Sequence, residues 1–325
     1  MTDKIAGIHH VTAIATDPQK NADFYAGVLG LRLVKKTVNF DDPATYHLYY
    51  GDGSGRPGTI LTFFPWPSAR RGSRGAGQAT VTSFSVPEGS QGFWRQRLEE
   101  LGAVAEEPKS RFDEEVLAFY DPDGLKLELV AHAEDAGEPW SGGPVPAAHA
   151  IRGFHGVTLS EQSLEPTAHL LTEVMGYQAA GEHHSRYRFA APEGNVGRRV
   201  DVLHTPDAGF GQIAAGTVHH VAWRVPDDAA QSAWSEALVG AGLYPTEVKD
   251  RQYFKSIYFR EPGGVLFEFA TDPPGFLRDE ELDALGTGLK LPPWLEPHRS
   301  RIEDVLPPIE MPPIETPAAA VESAP

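Results

Sequence analysis

The chain of 325 residues contains no cysteine. That single absence excludes disulfides, thiolate nucleophiles, iron–sulfur clusters and cysteine zinc sites. Any bound metal would have to sit on histidine nitrogen and carboxylate oxygen. Basic residues are also scarce: 28 Lys and Arg against 45 Asp and Glu give a net charge of −17, which disfavours nucleic acid and anionic membrane surfaces as partners. No apolar run approaches the roughly 18–20 residues needed to cross a bilayer, and the opening "MTDKIAGIHH" lacks an apolar leader pattern, so a cytoplasmic location is expected. With 41% apolar and 22% charged residues, the composition is that of a globular chain long enough for two domains.

Histidine is plentiful, and two adjacent pairs recur in one context. "AGIHHVTAIA" starts at Ala6 and "GTVHHVAWRV" at Gly216, whereas the pair His183-His184 lacks that setting and is expected to be solvated in a hairpin. Both stretches open a longer internal repeat. In its clearest copy, about 217–271, "TVHHVAWRV" alternates as a strand does and "AAQSAWSEALVGAGL" has helical spacing. The runs "YPTEVKDR", "FKSIYFREP" and "GVLFEFATD" then read as three strands, the last two parted by the turn signal "EPGG". The unit is βαβββ. Further copies lie at about 8–65, about 79–132, where "DPDG" replaces "EPGG", and about 153–205. The Gly/Pro-rich stretch "EDAGEPWSGGPVPA" divides the chain into a first pair of modules (1–135), a linker (136–152), a second pair (153–275) and a Pro-rich extension (276–325). A short helix in that extension is expected to pack over the modules, and the Ala/Pro-rich end to be loose.

Strand alternation sorts the side chains by face. His220, Ala222 and Arg224 share one face of their strand, and Leu266, Glu268 and Ala270 share one face of the last strand of the module. A carboxylate in the middle of "VLFEFA" is unfavourable to bury without a partner, and a metal is one such partner. Trp223, Val225, Phe267 and Phe269 read most simply as core facing the helix.

Four βαβββ units over about 270 residues resemble the vicinal oxygen chelate superfamily, which includes glyoxalases, bleomycin-binding proteins and extradiol ring-cleaving dioxygenases. The resemblance implies an α+β fold whose modules pair into two half-barrels, with a metal in the cup. It also implies ligands near the start of the first strand and in the last strand of paired modules. Those positions hold His10 and His220, with Glu268 and Glu128. Modules two and three offer Thr80 and Gly156 in place of the histidines, and Thr62 or Phe63 stands at the carboxylate position of module one. Pairing of modules one and four would leave His10, His220 and Glu268 as the metal set. The other half is expected to hold no metal, with Glu128 bonded to a neighbouring strand or a basic side chain. Two histidines and one carboxylate with open positions suit oxygen activation by Fe(II), Mn(II) being the alternative.

Within the superfamily, the stretches "GIHHVTAIATDPQKNADFYAGVLGLRLVKKTVNFDDP", "YHLYYGD", "TVHHVAWR", "DRQYFKSIYFREPGGVLFEFATDPPGF" and "LPPWLEPHR" resemble ring-cleaving dioxygenases acting on para-hydroquinones. The same resemblance gives supporting or catalytic roles to His9, Thr12, His219, Arg251 and Tyr258. Thr12 shares the face of His10, but simple alternation turns His9 and His219 away from it, so a direct role requires a bulged strand. Tyr258 and His219 are the candidate acid or base, and Arg251 or Tyr258 the group that steadies negative charge. The expected partners are a small aromatic diol and O2, with a homodimer as the assembly considered. The alternatives are a glyoxalase-like lyase or isomerase using Ni, Zn or Mn, a catechol extradiol dioxygenase, and a metal-free binding protein, whose loss of the histidines is not seen here.

Overall fold

Turn and cap residues give each module its expected order in the computed structural model, which describes residues 5–132, 137–194 and 196–312. Module one runs β1 (Ile8–Ala15), α1 (Pro18–Ala22), β2 (Arg32–Asn39), β3 (Asp42–Gly51) and β4 (Ile60–Pro65). Asp17 starts α1 by accepting from the N–H groups of Gln19 and Lys20, and Pro18 fills the first position, where no donor is needed. A π-helical turn, Asp23–Val28, continues α1 through the region read as one helix. Module two comprises β5 (Gln78–Val86), α2 (Gln91–Glu100), the short β6 (Val104–Ala105) and β7 (Lys109–Arg111), β8 (Glu114–Tyr120) and β9 (Lys126–Ala131). Its "DPDG" turn closes because Asp121 Oδ1 accepts from the N–H groups of Asp123 and Leu125, with Gly124 at φ 84°.

Module three follows with β10 (Phe154–Glu161), α3 (Glu165–His169), β11 (Gln178–His183), β12 (Arg186–Ala190) and β13 (Arg199–His204). Module four has β14 (Thr217–Val225), α4 (Asp228–Gly240), β15 (Lys249–Asp250), β16 (Lys255–Arg260) and β17 (Leu266–Thr271). The expected strand "YPTEVKDR" shrinks to β15. Tyr244 is exposed, and Pro245 has no N–H to give a ladder.

Two curled sheets result, and the α+β class with two half-barrels holds. Modules four and one form the sheet β15-β16-β17-β14-β1-β4-β3-β2, and modules three and two form β11-β12-β13-β10-β5-β9-β8-β6 with β7 on β8. The sheets do not follow the division of the chain at the linker: each takes one module from 1–135 and one from 153–275. The free edge of β1 is satisfied by antiparallel pairing with β14, and that of β5 by β10. This crossing sets the two histidine-bearing strands side by side.

Behind the first sheet, Trp223, Phe267 and Phe269 are fully buried, and Trp234 of α4 packs on Phe269 at 5.2 Å between ring centroids. Truncating such a tryptophan to alanine costs roughly 3–5 kcal/mol. In the extension, α5 (Arg299–Val305) buries Ile302, and the Tyr46 hydroxyl donates to the Pro307 carbonyl. The Ala/Pro-rich end lies outside the described residues. Among the described residues no helix is long and apolar enough to cross a membrane.

Candidate metal centre

Register decides what faces the first cup. Along β1 and β14, His10 pairs with Ala222 and Thr12 with His220. The ladder shifts between Ile8 and His10, leaving His9 as an extra residue, and again opposite Thr12 and Ala13, leaving His219 extra. Each adjacent histidine is thus the bulged residue of its strand, which turns it toward its neighbour instead of across the sheet. His9 Nδ1 lies 2.9 Å from His10 Nδ1, and His219 Nδ1 lies 2.8 Å from His220 Nδ1.

With Nδ1 engaged, the Nε2 atoms of His10 and His220 converge, 3.4 Å apart. Glu268 arrives from β17, paired with Ala222, and its Oε2 lies 2.9 Å from His220 Nε2 and 3.4 Å from His10 Nε2. All three side chains are buried. Burial would raise the Glu268 carboxyl, but His10 and His220 hold it well below the usual carboxylate range. Burial depresses His220 against the pull of that carboxylate. Ser256 donates to Glu268 Oε1, while Oε2 is buried with no hydrogen bond. An orphaned carboxylate oxygen between two imidazole nitrogens fits a divalent cation. Ligands at right angles, each about 2.1 Å from a metal, lie about 3 Å from one another, close to the spacing of these three atoms.

A sequence profile of the Glyoxalase/Bleomycin resistance protein/Dioxygenase superfamily matches residues 7–129 and 153–269. The chain belongs to that superfamily. It is 51% identical over 313 residues to a protein of Bacillus subtilis (strain 168) named as the candidate ring-cleaving dioxygenase MhqO, covering 96% of this chain and 99% of that one. It is 35% identical over 303 residues to the chlorohydroquinone/hydroquinone 1,2-dioxygenase of Sphingobium indicum, covering 91% and 94%. A crystal structure of a candidate dioxygenase from Bacillus subtilis superposes with a TM-score of 0.92 at 49% identity, covering 95% of this chain and 99% of that one.

Register also decides which residue of module one stands opposite Glu268 in the paired repeat. Thr62 pairs with Thr12 on β4 as Glu268 pairs with Ala222 on β17, so Thr62, not Phe63, stands at the carboxylate position of module one. In the second sheet Gly156 matches His10, but Val81, which pairs with Thr158 as His220 pairs with Thr12, replaces Thr80 as the residue at the other histidine position. Glu128 accepts from Arg111 and Ser83.

A cavity of about 250 Å³ opens over the triad, walled by Phe40, Phe64, Trp66 and Phe254. His219 lines it, and burial, then His220, depresses this imidazole to about 3. His9 does not line it: the nitrogen left after the bond to His10 meets the Thr271 backbone, and burial holds the ring neutral. Tyr258 pairs with Glu268 across β16 and β17 and lines the cavity beside Arg251. Arg251 donates from Nε to the Tyr258 hydroxyl at 3.2 Å and from Nη1 to Asp41 at 3.0 Å. Burial and then Glu268 raise the Tyr258 phenol despite that guanidinium.

Thr12 reaches the cavity only through others. Its hydroxyl meets Thr62 Oγ1 at 2.9 Å, Thr62 meets His47 Nε2 at 2.8 Å, and His47 Nδ1 meets the Tyr49 hydroxyl at 2.8 Å. His47 and Tyr49 both line the cavity, and sequence reasoning assigned neither. The available signal was that they lie two apart on β3, on one face, inside the quoted motif "YHLYYGD".

Proposed function

We propose that the chain is a ring-cleaving dioxygenase that inserts O2 into a hydroquinone-type aromatic diol, with Fe(II) held by His10, His220 and Glu268. The observation that carries the reading is the three-donor cluster with a threonine, Thr62, in the fourth ligand position. A site of this kind keeps three coordination positions open, where a lyase centre would close one with a second carboxylate. The relative from Sphingobium named for chlorohydroquinone and hydroquinone supports the substrate class. When bound, a ferrous ion supplies Lewis acidity toward a phenolic oxygen and the redox chemistry of oxygen activation.

The chain's own groups bind and orient the ring. Aromatic walls in a cavity of about 250 Å³ suit a single substituted ring and exclude water from it. A ligand His220 that gives its Nε2 lone pair keeps its proton on Nδ1 and donates it to His219 Nδ1. His219 then carries its proton on Nε2, so in the resting site the neutral ring offers the substrate an N–H hydrogen-bond donor. Arg251 places positive charge beside the cavity, where it offsets charge on a phenolate oxygen, and it orients the Tyr258 hydroxyl. His9 and Thr12 act by holding His10 and the Thr62–His47 pair.

Turnover of hydroquinone under ¹⁸O₂ with mass analysis of the product tests this reading. Two labelled atoms per opened ring, one in the carboxylate formed at the former hydroxyl carbon and one in the aldehyde formed at its neighbour, is the expected result. A product without label would remove oxygen insertion and favour the lyase.

A further inference from the structure

The second cup has acids at its two last-strand positions and no histidine at the two first-strand positions, Gly156 and Val81. Asp201 pairs with Thr158 as Thr62 pairs with Thr12, and Glu128 pairs with Ser83 as Glu268 pairs with Ala222. Arginines now occupy the space between these carboxylates. Arg111 holds Glu128 through Nη1 at 3.0 Å and Nη2 at 2.7 Å. Arg188 holds Asp201 through Nε at 2.8 Å and Nη2 at 3.1 Å, and Glu114 through Nη1 at 2.7 Å.

Arg186 is served differently. Its hydrogen bonds run through Nη1 alone, to Thr158 Oγ1 at 2.6 Å and to Asp201 Oδ2 at 3.2 Å, an oxygen already taken by Arg188. Among the described residues its Nε and Nη2 donors have no hydrogen-bond partner, and 13% of the side chain is exposed. Arg111 Nε is buried without a hydrogen bond, 3.9 Å from Asp201 Oδ2. Both arginines line a cavity of about 230 Å³ whose walls also carry Lys109 and Lys126, both paired with Glu106, together with Glu107 and the Arg111-bound Glu128. Burial and then Arg111 hold the Arg186 guanidinium below its ordinary range, the condition an added anion would relieve.

We propose that this second cup is a binding site for a small organic carboxylate, seated on the Nε/Nη2 edge of Arg186. That edge presents two parallel N–H groups at the spacing of a carboxylate's two oxygens, a match that lysine does not offer. Such a site lies on the other sheet from the metal centre and does not depend on what that centre does. In a chain of net charge −17, the open edge of Arg186 gives an organic acid a local positive contact against the overall field.

Calorimetric titration of the full-length protein with fumarate, and separately with inorganic phosphate, tests the site. The expected result is one saturable fumarate site per chain, lost in R186Q and kept in R251Q, which alters only the first cavity. R186K keeps the charge but not the two-donor edge. It should bind at least about tenfold more weakly, and it carries the test if R186Q does not fold. Absence of saturable fumarate binding below about 10 mM, binding of phosphate alone, or fumarate binding lost in R251Q and kept in the Arg186 variants would overturn the proposal.

Discussion

Thr62 on β4 and Glu268 on β17 hold equivalent places on the ladders of the two paired modules, each beside the strand that carries a cup histidine. One is a carboxylate and the other a hydroxyl, and this difference leaves the centre three-sided. Thr62→Glu should therefore add a fourth ligand. We expect metal affinity to rise about tenfold while oxygen uptake falls by at least about tenfold, as one open position is lost. Equilibrium dialysis against Fe(II) and an oxygen electrode read the two effects separately, and a loss of metal would argue against the register assignment.

The two bracing histidines should differ in what they protect. His9→Asn removes the group fixing His10 and is expected to weaken metal binding about 10–100-fold while leaving turnover of the metal-saturated enzyme close to wild type. His219→Asn should also slow turnover at saturating metal, by about 100-fold, because His219 lines the cavity. Measuring kcat across a metal titration separates the cases.

A buried acid pair, Glu161 at the end of β10 and Glu261 in the turn before β17, sets a pH dependence of stability. Glu161 and Glu261 are both nearly inaccessible, and burial, then Glu261, raises the Glu161 carboxyl to about 8. An acid whose pKa is raised in the folded state binds more protons folded than unfolded between its two pKa values. Stability is therefore full below the unfolded value near about 4.3 and is lost as pH rises toward about 8. Glu161→Gln, which cannot ionise, should flatten the Tm profile between pH 5 and 8 and raise Tm by a few degrees at pH 8. Thermal scans across that range would refute this if the two profiles ran parallel.

The extension is tied to module one through Lys35. This fully buried ammonium lies 2.5 Å from Asp279 Oδ1, contacts Glu280, and sits 4.9 Å above the Tyr253 ring. Lys35→Met strands Glu280, itself 2% exposed, and should destabilise the fold by about 3 kcal/mol. Adding Glu280→Gln should recover part of that loss in denaturant titrations.

Much of this was legible because repetition magnifies weak signals. The pair His9-His10 means little alone, but its echo at His219-His220 marked the strand and the module, and the resemblance to the superfamily then pointed to His10 and His220 as the expected ligands. The carboxylate in "VLFEFA" was readable because alternation left it no apolar reason to be buried. Register was not legible: Thr62 rather than Phe63 follows from the parallel pairing of β4 with β1, and Val81 rather than Thr80 from a bulge in β5, and no local pattern records either. Nor did alternation reveal His47, whose part depends on β3 lying against β4. The pairing of modules across the linker follows from strand edges meeting in space, while the linker's composition marks only where the chain turns.

If His10, His220 and Glu268 hold an iron that opens a para-diol ring with O2, the iron-loaded protein consumes oxygen with hydroquinone. Oxygen uptake by protein reconstituted anaerobically with Fe(II), offered hydroquinone and then catechol, tests it most directly, with His220→Ala as the control. We predict rapid uptake with hydroquinone at one O2 per ring opened, slower uptake with catechol, and none in His220→Ala, which should no longer retain iron. Iron-loaded protein that consumes no oxygen with either diol, or a His220→Ala variant as active as the parent, would contradict the account.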